Sequence, residues 1–327
     1  MDKKIVSTFM FSDSHEQELL WLKFNVENSF VNEWIITESR YTFQGKIKPM
    51  FLEEILSQSR FEKFKDKIHY INLDENFNFQ FEPKFIDLLK RKTKRWLNAK
   101  RKRNYELVPY AELASFYSEI NQRGACLDYL KSKYSSEDII ITCDTDEIFD
   151  FTGNKINEFM NAIASNDTPF YIKREIYCYD FDNYANRLRY SPIVKLKDLT
   201  SKQAFHNVRH PSNNNRVVLE FSQSLAFEYT FCFSKESIIK KLTSFAHVTD
   251  LDTEAVNFCL NNNIALINPD RIDNDYIQNS ESFFDRILIS EKNTPLFLIE
   301  NISEFKTDVV NLDYLLQRKQ DKVEYNN

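Results

Sequence analysis

The sequence predicts an α/β fold in which a mostly parallel central sheet is flanked by helices. In the first half of the chain, apolar and β-branched runs typical of strands alternate with amphipathic stretches typical of helices. The chain has 327 residues, of which 28% are charged and 42% hydrophobic, as expected of a globular protein. From 168 to 233 aromatic and polar residues alternate, which indicates a smaller, mixed β half.

The first 73 residues predict three strands and two helices. The opening run 4–11 is apolar enough for a buried strand. Ser14 and Gln17 then predict a capping box at the start of a helix that reaches about residue 28. Strands are expected over 32–37 and 67–73, with a helix over 51–64 between them. This alternating order is typical of parallel sheets.

The next segment leads to the central strand. We expect a very basic helix over 84–107 and a long amphipathic helix over 110–134. The strand that follows, 138–143, is strongly apolar, and a later helix is expected over 235–245. Because neither repeats nor linkers interrupt the pattern, we expect one domain over 1–300, with 84–107 as an insert and 301–327 as a tail.

Composition excludes several classes of protein. The chain has only three glycines, so it contains neither G-x-G-x-x-G nor a Walker A motif. Ordinary Rossmann dehydrogenases and P-loop NTPases are therefore excluded, and any phosphate must be held by side chains or a metal. The net charge of −6 argues against a general nucleic-acid binder, so we expect no nucleic-acid partner.

Cysteine usage and hydropathy bear on location. The chain has five cysteines, an odd number, and no two of them form a C-x-x-C pair. This pattern favours buried free thiols in a reducing compartment. The sequence has neither a signal peptide nor an apolar run of about 20 residues. We therefore expect a soluble, cytoplasmic protein.

The most informative motif follows the central strand, where residues 139–148 read IIITCDTDEI. An apolar strand delivers Asp144 and Asp146 to its carboxyl end, the edge at which open α/β sheets bind ligands. Alternation along a strand would point both side chains the same way. Two carboxylates so placed suit Mg²⁺ or Mn²⁺, with water and substrate phosphates completing the coordination.

Two enzyme classes share such a motif. Haloacid-dehalogenase-type phosphatases end a strand in D-x-D and use the first aspartate as nucleophile. Their motif usually continues with Gly and Thr near the N-terminus, whereas here Glu147 and Ile148 follow and 143 residues precede it. Metal-dependent glycosyltransferases of the GT-A type place D-x-D after a first nucleotide-binding half, as in this chain.

The order of motifs resembles glycosyltransferase family 17, the β-1,4-N-acetylglucosaminyltransferases that add a bisecting residue to N-glycans, and its bacterial relatives. The most specific match is 38–49, which reads ESRYTFQGKIKP. Dispersed matches follow between residues 4 and about 300: R-F-x-x-F-x-x-K-I at 60–68, Gln122-Arg123, D-x-D-E-I at 144–148 and S-F-x-H at 244–247. Where the family commonly has Gly-Trp-His-x-Ser, this chain has 226–230, with Glu228 in place of His.

The resemblance implies a GT-A fold, with a donor half over about 1–150 and an acceptor half over about 151–300. It also implies a nucleotide-sugar donor, with UDP-N-acetylglucosamine as the leading expectation, and inversion at the anomeric carbon. Animal members carry an N-terminal membrane anchor that this sequence lacks, so a bacterial or viral enzyme is implied. Inversion requires a base for the acceptor hydroxyl and Mn²⁺ or Mg²⁺ at the diphosphate.

We assign candidate roles on this basis. The metal ligands would be Asp144, Asp146 and His247. The donor would be contacted by Glu38, Arg40, Lys46, Gln122, Arg123 and Asp144. The catalytic base would be Glu228, whose apolar strand would raise its pKa by burial, or else Asp250 or Asp252.

A basic segment indicates a further partner. From 90 to 103, nine of fourteen residues are Lys or Arg, in a chain that is acidic overall. Anionic lipid head groups, a lipid-linked glycan acceptor or a charged polysaccharide would complement this charge. The segment therefore predicts peripheral contact with the inner face of a membrane, while a solvated helix face remains the alternative.

Together these observations predict an inverting, metal-dependent glycosyltransferase that transfers a sugar to a glycan acceptor in surface-glycan synthesis. Two alternatives stay open. One is a Mg²⁺-dependent haloacid-dehalogenase-like phosphatase. The other is a non-catalytic protein that binds anionic surfaces on a transferase scaffold.

Overall fold

A computed structural model describes residues 3–43, 46–73, 110–165, 169–209, 217–244, 260 and 284–305. Several predictions fall outside these residues: the basic helix 84–107 with its segment 90–103, the tail from 306, and the candidate side chains His247, Asp250 and Asp252.

Ten strands of the described residues form one mixed sheet. They are β1 (Ile5–Phe11), β2 (Glu33–Ser39), β3 (Ile68–Leu73), β4 (Ile139–Asp144), β5 (Glu147–Phe149), β6 (Phe170–Cys178), β7 (Asn183–Lys195), β8 (Val217–Leu219), β9 (Ala226–Thr230) and β10 (Asp285–Arg286). Their main order is β3-β2-β1-β4-β7-β6-β9-β5, while β10 pairs with β7 and β8 with β6.

The direction of pairing changes at the centre of the sheet. The four strands β3, β2, β1 and β4 are all parallel to their neighbours. Antiparallel pairing begins where β7 joins β4 and continues between β7 and β6. The strands β8 and β9 run parallel to β6, and β5 closes the order antiparallel to β9. The predicted α/β fold with a mostly parallel sheet and flanking helices is confirmed.

The α-helices of the described part are α1 (Gln17–Glu27), α2 (Leu52–Ser57), α3 (Tyr110–Arg123), α4 (Leu127–Lys133), α5 (Lys155–Ser165), α6 (Lys202–Arg209), α7 (Lys235–Ser244) and α8 (Leu296–Phe305). None of the helices among the described residues combines the length and apolarity needed to cross a membrane.

Alternating side chains of the parallel strands explain why helices cover both faces. On one face Phe9 and Ile141 pack with Phe24 of α1 and with α2. On the other face Ile140 packs with Leu130 of α4, together with residues of α6. Because strand side chains alternate between faces, a strand buried on both sides is apolar along most of its length, as β1 and β4 are.

The start of the first helix corrects one prediction. The capping box of Ser14 and Gln17 is wrong: the Asp13 carboxylate accepts the Ser14 backbone N–H at 2.6 Å and caps a 3₁₀ turn over Ser14–Glu16. The α-helix begins only at Gln17.

Two predicted helices are also interrupted. The helix expected over 51–64 ends at Ser57, because Gln58 is extended, and 3₁₀ turns over Ser59–Lys67 follow. The helix expected over 110–134 is divided by a 3₁₀ turn at Gly124–Cys126. There the backbone passes so close to α6 that a Cβ on Gly124 would lie 2.6 Å from the Lys202 Cα.

Candidate functional site

The candidate site lies at the carboxyl edge of the parallel strands, where β4 ends at Asp144. The chain turns immediately after this residue. The Thr145 hydroxyl donates to the Met10 carbonyl at 2.9 Å, and the Tyr229 N–H donates to the Asp146 carbonyl at 2.9 Å. These bonds fix the turn to β1 and β9. The simple alternation expected for a continuing strand therefore does not apply, and the two aspartates meet different partners.

Asp144 is held between two guanidinium groups. The Arg123 Nη2 lies 2.7 Å from its Oδ1, and the Arg209 Nη2 lies 2.5 Å from its Oδ2. Arg123 comes from α3 and also donates to the Cys143 carbonyl at 2.8 Å. The two arginine side chains are 3% and 11% exposed, but the Asp144 side chain is 37% exposed. The arginines therefore lie behind a carboxylate that faces outward.

Glu147 lies behind Asp144 and joins the same arginine. The two Arg209 guanidinium nitrogens donate to its two oxygens at 2.6 and 3.1 Å, a bidentate pair. The Arg174 guanidinium also pairs with Glu147 and lies 3.3 Å from Glu228. Arg209, at the end of α6, thus bridges the last residue of β4 and the first residue of β5.

Glu228, the expected base, belongs to this network. Its Oε1 accepts hydrogen bonds from Arg189 at 3.0 Å and from the Thr230 hydroxyl at 2.7 Å. The Glu228 side chain is 6% exposed. The structure therefore places Glu228 near the two aspartates but with partners of its own, and its role as base stays a prediction.

Asp146 faces a different cation. The Lys241 Nζ, on α7, lies 3.4 Å from Asp146 Oδ2 and 3.5 Å from Glu16 Oε1. The second oxygen of Glu16 accepts the Ser12 N–H at 3.0 Å, which ties this carboxylate to the turn after β1. One ammonium group is thus flanked by two carboxylates, which follow the carboxyl ends of the neighbouring parallel strands β1 and β4.

The two aspartates differ in their tendency to ionise. Burial opposes the charged form of Asp144, but Arg123 and Arg209 outweigh it and hold its pKa well below the usual range. Burial raises the pKa of Asp146 to about 7; the nearby carboxylates Glu228, Asp144 and Glu16 add to this rise, and Lys241 opposes it. Asp144 is therefore always ionised near neutrality, whereas burial, more than any neighbouring charge, raises the pKa of Asp146.

Glu38 has structural partners in this arrangement. It is the last residue but one of β2 and lies at the same edge of the sheet. Its oxygens accept the N–H groups of Phe51 and Leu52 at 2.8 and 3.1 Å and the Tyr70 hydroxyl at 2.9 Å. Its exposed fraction is 0%, so no surface of Glu38 is open to a nucleotide here. The carboxylate instead stabilises the N-terminus of α2.

The remaining candidates lie on both sides of the strand ends. Gln122 is buried and donates to the Thr37 carbonyl at 3.3 Å, next to the end of β2. Arg40 is half-buried just after β2, and Lys46 is exposed. Their contacts with a donor stay predictions.

Several residues of the network were not selected from the sequence: Glu16, Glu147, Arg174, Arg209 and Lys241. Glu147 stands within the D-x-D-E-I motif, so its acidity and position were a visible signal. The other four carry no local signal, because they reach the site from distant parts of the chain; Lys241, for example, lies 95 positions from Asp146.

Few side chains of the site could act as ligands of a divalent metal ion. Within the described ranges no group of three or more His, Cys, Asp or Glu side chains could hold a metal ion. Mg²⁺, however, is commonly bound through one or two carboxylates, with water and phosphates supplying the other ligands. Asp146 and Glu16 are oxygen donors of this kind, while both Asp144 oxygens are engaged by arginines.

Comparison with known proteins leaves this site without an assigned relative. The chain matches no protein-family model and no curated protein.

Proposed function

We propose that this protein is an inverting, metal-dependent glycosyltransferase of the GT-A type that uses a nucleotide-sugar donor. The observation that carries this proposal is the pair Asp144 and Asp146 at the carboxyl end of β4, on the edge where parallel strands converge. UDP-N-acetylglucosamine is the first donor to test, and a glycan or lipid-linked glycan is the proposed acceptor.

The two carboxylates support different roles. Asp144 is outward-facing, permanently charged and fixed by Arg123 and Arg209, so it is a preorganised acceptor for donor hydroxyl groups. Asp146 would hold the divalent ion, with Glu16 opposite it. When bound, Mn²⁺ or Mg²⁺ would neutralise the diphosphate leaving group.

The carboxylates near Asp146 support the binding of a cation there. The pKa of this carboxyl is raised to about 7, by burial first and then by the neighbouring carboxylates, with Lys241 acting in the opposite direction. Such a group gains a favourable interaction when a cation arrives, because the repulsion from its neighbours is then relieved.

The base that takes the acceptor proton stays a prediction. Glu228 is the candidate within the described part and lies beside Arg174 and Arg189. To act, its Oε1 would have to exchange the Arg189 contact for the acceptor hydroxyl. Arg189 has a 51% exposed side chain, which makes it the more easily moved of the two partners.

The phosphatase alternative has less support. Its nucleophile would be Asp144, yet both oxygens of this side chain are engaged by guanidinium groups. A chromogenic phosphate-ester assay distinguishes the two functions, because only the phosphatase releases phosphate. The non-catalytic alternative and the proposed peripheral place at the inner membrane face rest on 90–103, outside the described residues.

A thermal-shift and calorimetry panel tests the proposal. Nucleotides and nucleotide sugars are added with and without Mn²⁺, since a ligand that binds only the folded form raises the melting temperature. We expect a UDP-sugar to bind in the presence of Mn²⁺, and Asp146→Asn to abolish this while leaving the fold intact. The matched control is Asp128→Asn, which removes one exposed carboxylate of α4.

Absence of any nucleotide or nucleotide-sugar shift in the wild-type protein, with or without Mn²⁺, would refute the proposal. Hydrolysis of simple phosphate esters would favour the phosphatase instead.

A further inference from the structure

Lys241 places an ammonium group between two carboxylates at the strand ends. Its ammonium lies 3.4 Å from Asp146 and 3.5 Å from Glu16, and its side chain is 14% exposed. Three distant parts of the chain meet at this point: the turn after β1, the turn after β4, and α7.

Aromatic rings complete the surroundings of this ammonium. The Nζ lies 5.7 Å from the Phe231 ring centroid and 5.2 Å from that of Phe233, within cation–π range. Two carboxylates and two aromatic rings thus create a local environment that favours a positive charge.

The ion pairs of Lys241 are the loosest of the network. Arg209 and Arg123 approach Asp144 at 2.5 and 2.7 Å, whereas the Lys241 contacts are 3.4 and 3.5 Å. A lysine carries a point charge on a flexible four-carbon stem, while each guanidinium is a rigid fork. Among the cations that contact Asp144 or Asp146, Lys241 is therefore the one that can leave most easily.

We propose that Lys241 is a built-in cation that competes with the divalent ion for Asp146 and Glu16. This inference rests on the proposed function, because it concerns the same metal site. It adds Glu16 and Lys241 to that site. It also requires that a divalent ion binds at Asp146 only when the ammonium moves away, so that metal affinity in the free protein is held low.

Direct Mn²⁺ binding tests the competition without any turnover. Electron paramagnetic resonance measures free Mn²⁺ in titrations of the wild type, Lys241→Met and Lys235→Met. We expect Lys241→Met to bind Mn²⁺ at least tenfold more tightly than the wild type. Lys235→Met removes a positive charge from the first residue of the same helix and is expected to leave the affinity unchanged.

A second variant tests the role of the other carboxylate. Glu16→Gln introduced into Lys241→Met should lower the Mn²⁺ affinity at least tenfold again. If this double variant binds as tightly as Lys241→Met, the assignment of Glu16 is overturned.

Lysine labelling gives a measurement on the unmodified protein. Acylation followed by mass spectrometry reports how accessible each lysine is, and Mn²⁺ is expected to increase labelling of Lys241 but not of Lys235. This measurement decides the matter if Lys241→Met does not fold. Unchanged or reduced labelling of Lys241 at saturating Mn²⁺ would overturn the competition.

The two proposals fail differently. Equal or weaker Mn²⁺ binding by Lys241→Met, in a protein whose wild type binds Mn²⁺ and a nucleotide sugar, overturns the inference and leaves the proposed function standing. If neither protein binds Mn²⁺, the inference is overturned as well. The proposed function is refuted by a separate result, namely that the wild type binds no nucleotide or nucleotide sugar.

Discussion

A buried lysine in α1 offers the sharpest test of how charge is accommodated in this fold. Lys23 and Glu27 are both 0% exposed and lie one helical turn apart. The Lys23 Nζ lies 2.8 Å from Glu27 Oε1 and 2.6 Å from the Glu147 carbonyl oxygen. The second Glu27 oxygen accepts the Trp34 indole N–H at 2.9 Å.

Replacing Lys23 by Met removes the cation but keeps most of the side-chain volume. Glu27 then remains charged in the core with only neutral donors, and the Glu147 carbonyl loses a donor. Breaking a buried ion pair from one side costs about 3–5 kcal/mol. In domains of about 150–250 residues each kcal/mol lowers the melting temperature by about 2–4 °C, so we expect a fall of about 6–20 °C.

The titration of Lys23 itself should add no pH dependence to this loss near neutrality. Burial opposes the charge of Lys23, but Cys143 and Glu27 outweigh it and raise its pKa above the model-peptide value of 10.5. A group whose folded-state pKa is raised contributes stability that is fully present below the unfolded pKa. The contribution of the Lys23 charge should therefore be fully present from about pH 6 to pH 9.

Urea denaturation followed by circular dichroism measures the effect, with Lys63→Met as control. Lys63 is exposed, and its ammonium donates a hydrogen bond to the Asn25 side chain. Its replacement should therefore cost less than about 0.5 kcal/mol. Adding Glu27→Leu to Lys23→Met should recover about half of the loss, since the unpaired charge is removed. A cost below about 1 kcal/mol for Lys23→Met would refute the reasoning.

Three further predictions concern the site and its supports. Because the pKa of Asp146 is raised from 3.8 to about 7, chiefly by burial, its contribution to the free energy of unfolding falls as pH rises through this window, by on the order of 4 kcal/mol. Wild-type and Asp146→Asn denaturation curves should therefore converge at acid pH, and a constant difference would contradict the assignment. Arg209→Lys keeps the charge but loses the fork that bridges two carboxylates, so calorimetry should show donor affinity falling about tenfold; unchanged affinity would remove Arg209 from the site. Gly124→Ala should cost about 1–3 kcal/mol in urea denaturation because its Cβ would meet backbone 2.6 Å away, and a neutral effect would mean that α6 moves freely.

The parallel half of the sheet could be predicted because its two central strands, β1 and β4, are buried and apolar along most of their length. The central strand was expected over 138–143 and lies at Ile139–Asp144, and the third was expected over 67–73 and lies at Ile68–Leu73. Strands buried on both sides leave a continuous apolar run that sequence alone reveals. Helix ends were harder: Asp13 caps the first turn through its side chain, and Gln58 interrupts a predicted helix through its extended backbone.

The acidic half of the candidate site was visible in the sequence, but its basic half was not. Asp144 and Asp146 follow a buried strand directly, so the chain itself marks their position. Arg209 and Lys241 lie 65 and 95 residues from their partners, in helices whose sequences resemble ordinary solvated ones. A charge on an amphipathic helix reads as exposed unless the packing is known, and for the same reason Lys23 could not be recognised as a core residue.

Two of the buried charge clusters in the described part of the chain differ in one respect. Lys23 and Glu27 are sealed at 0% exposure, whereas the cluster at the end of β4 presents Asp144 at 37%. Well-packed apolar side chains often stabilise a fold as well as a buried ion pair does, so neither cluster is required simply to hold the sheet together. The sealed pair can specify only how α1 packs. The open cluster keeps an ionised carboxylate at the sheet edge, supported by two arginines that solvent barely reaches, and this orientation leaves the carboxylate accessible to the proposed ligand.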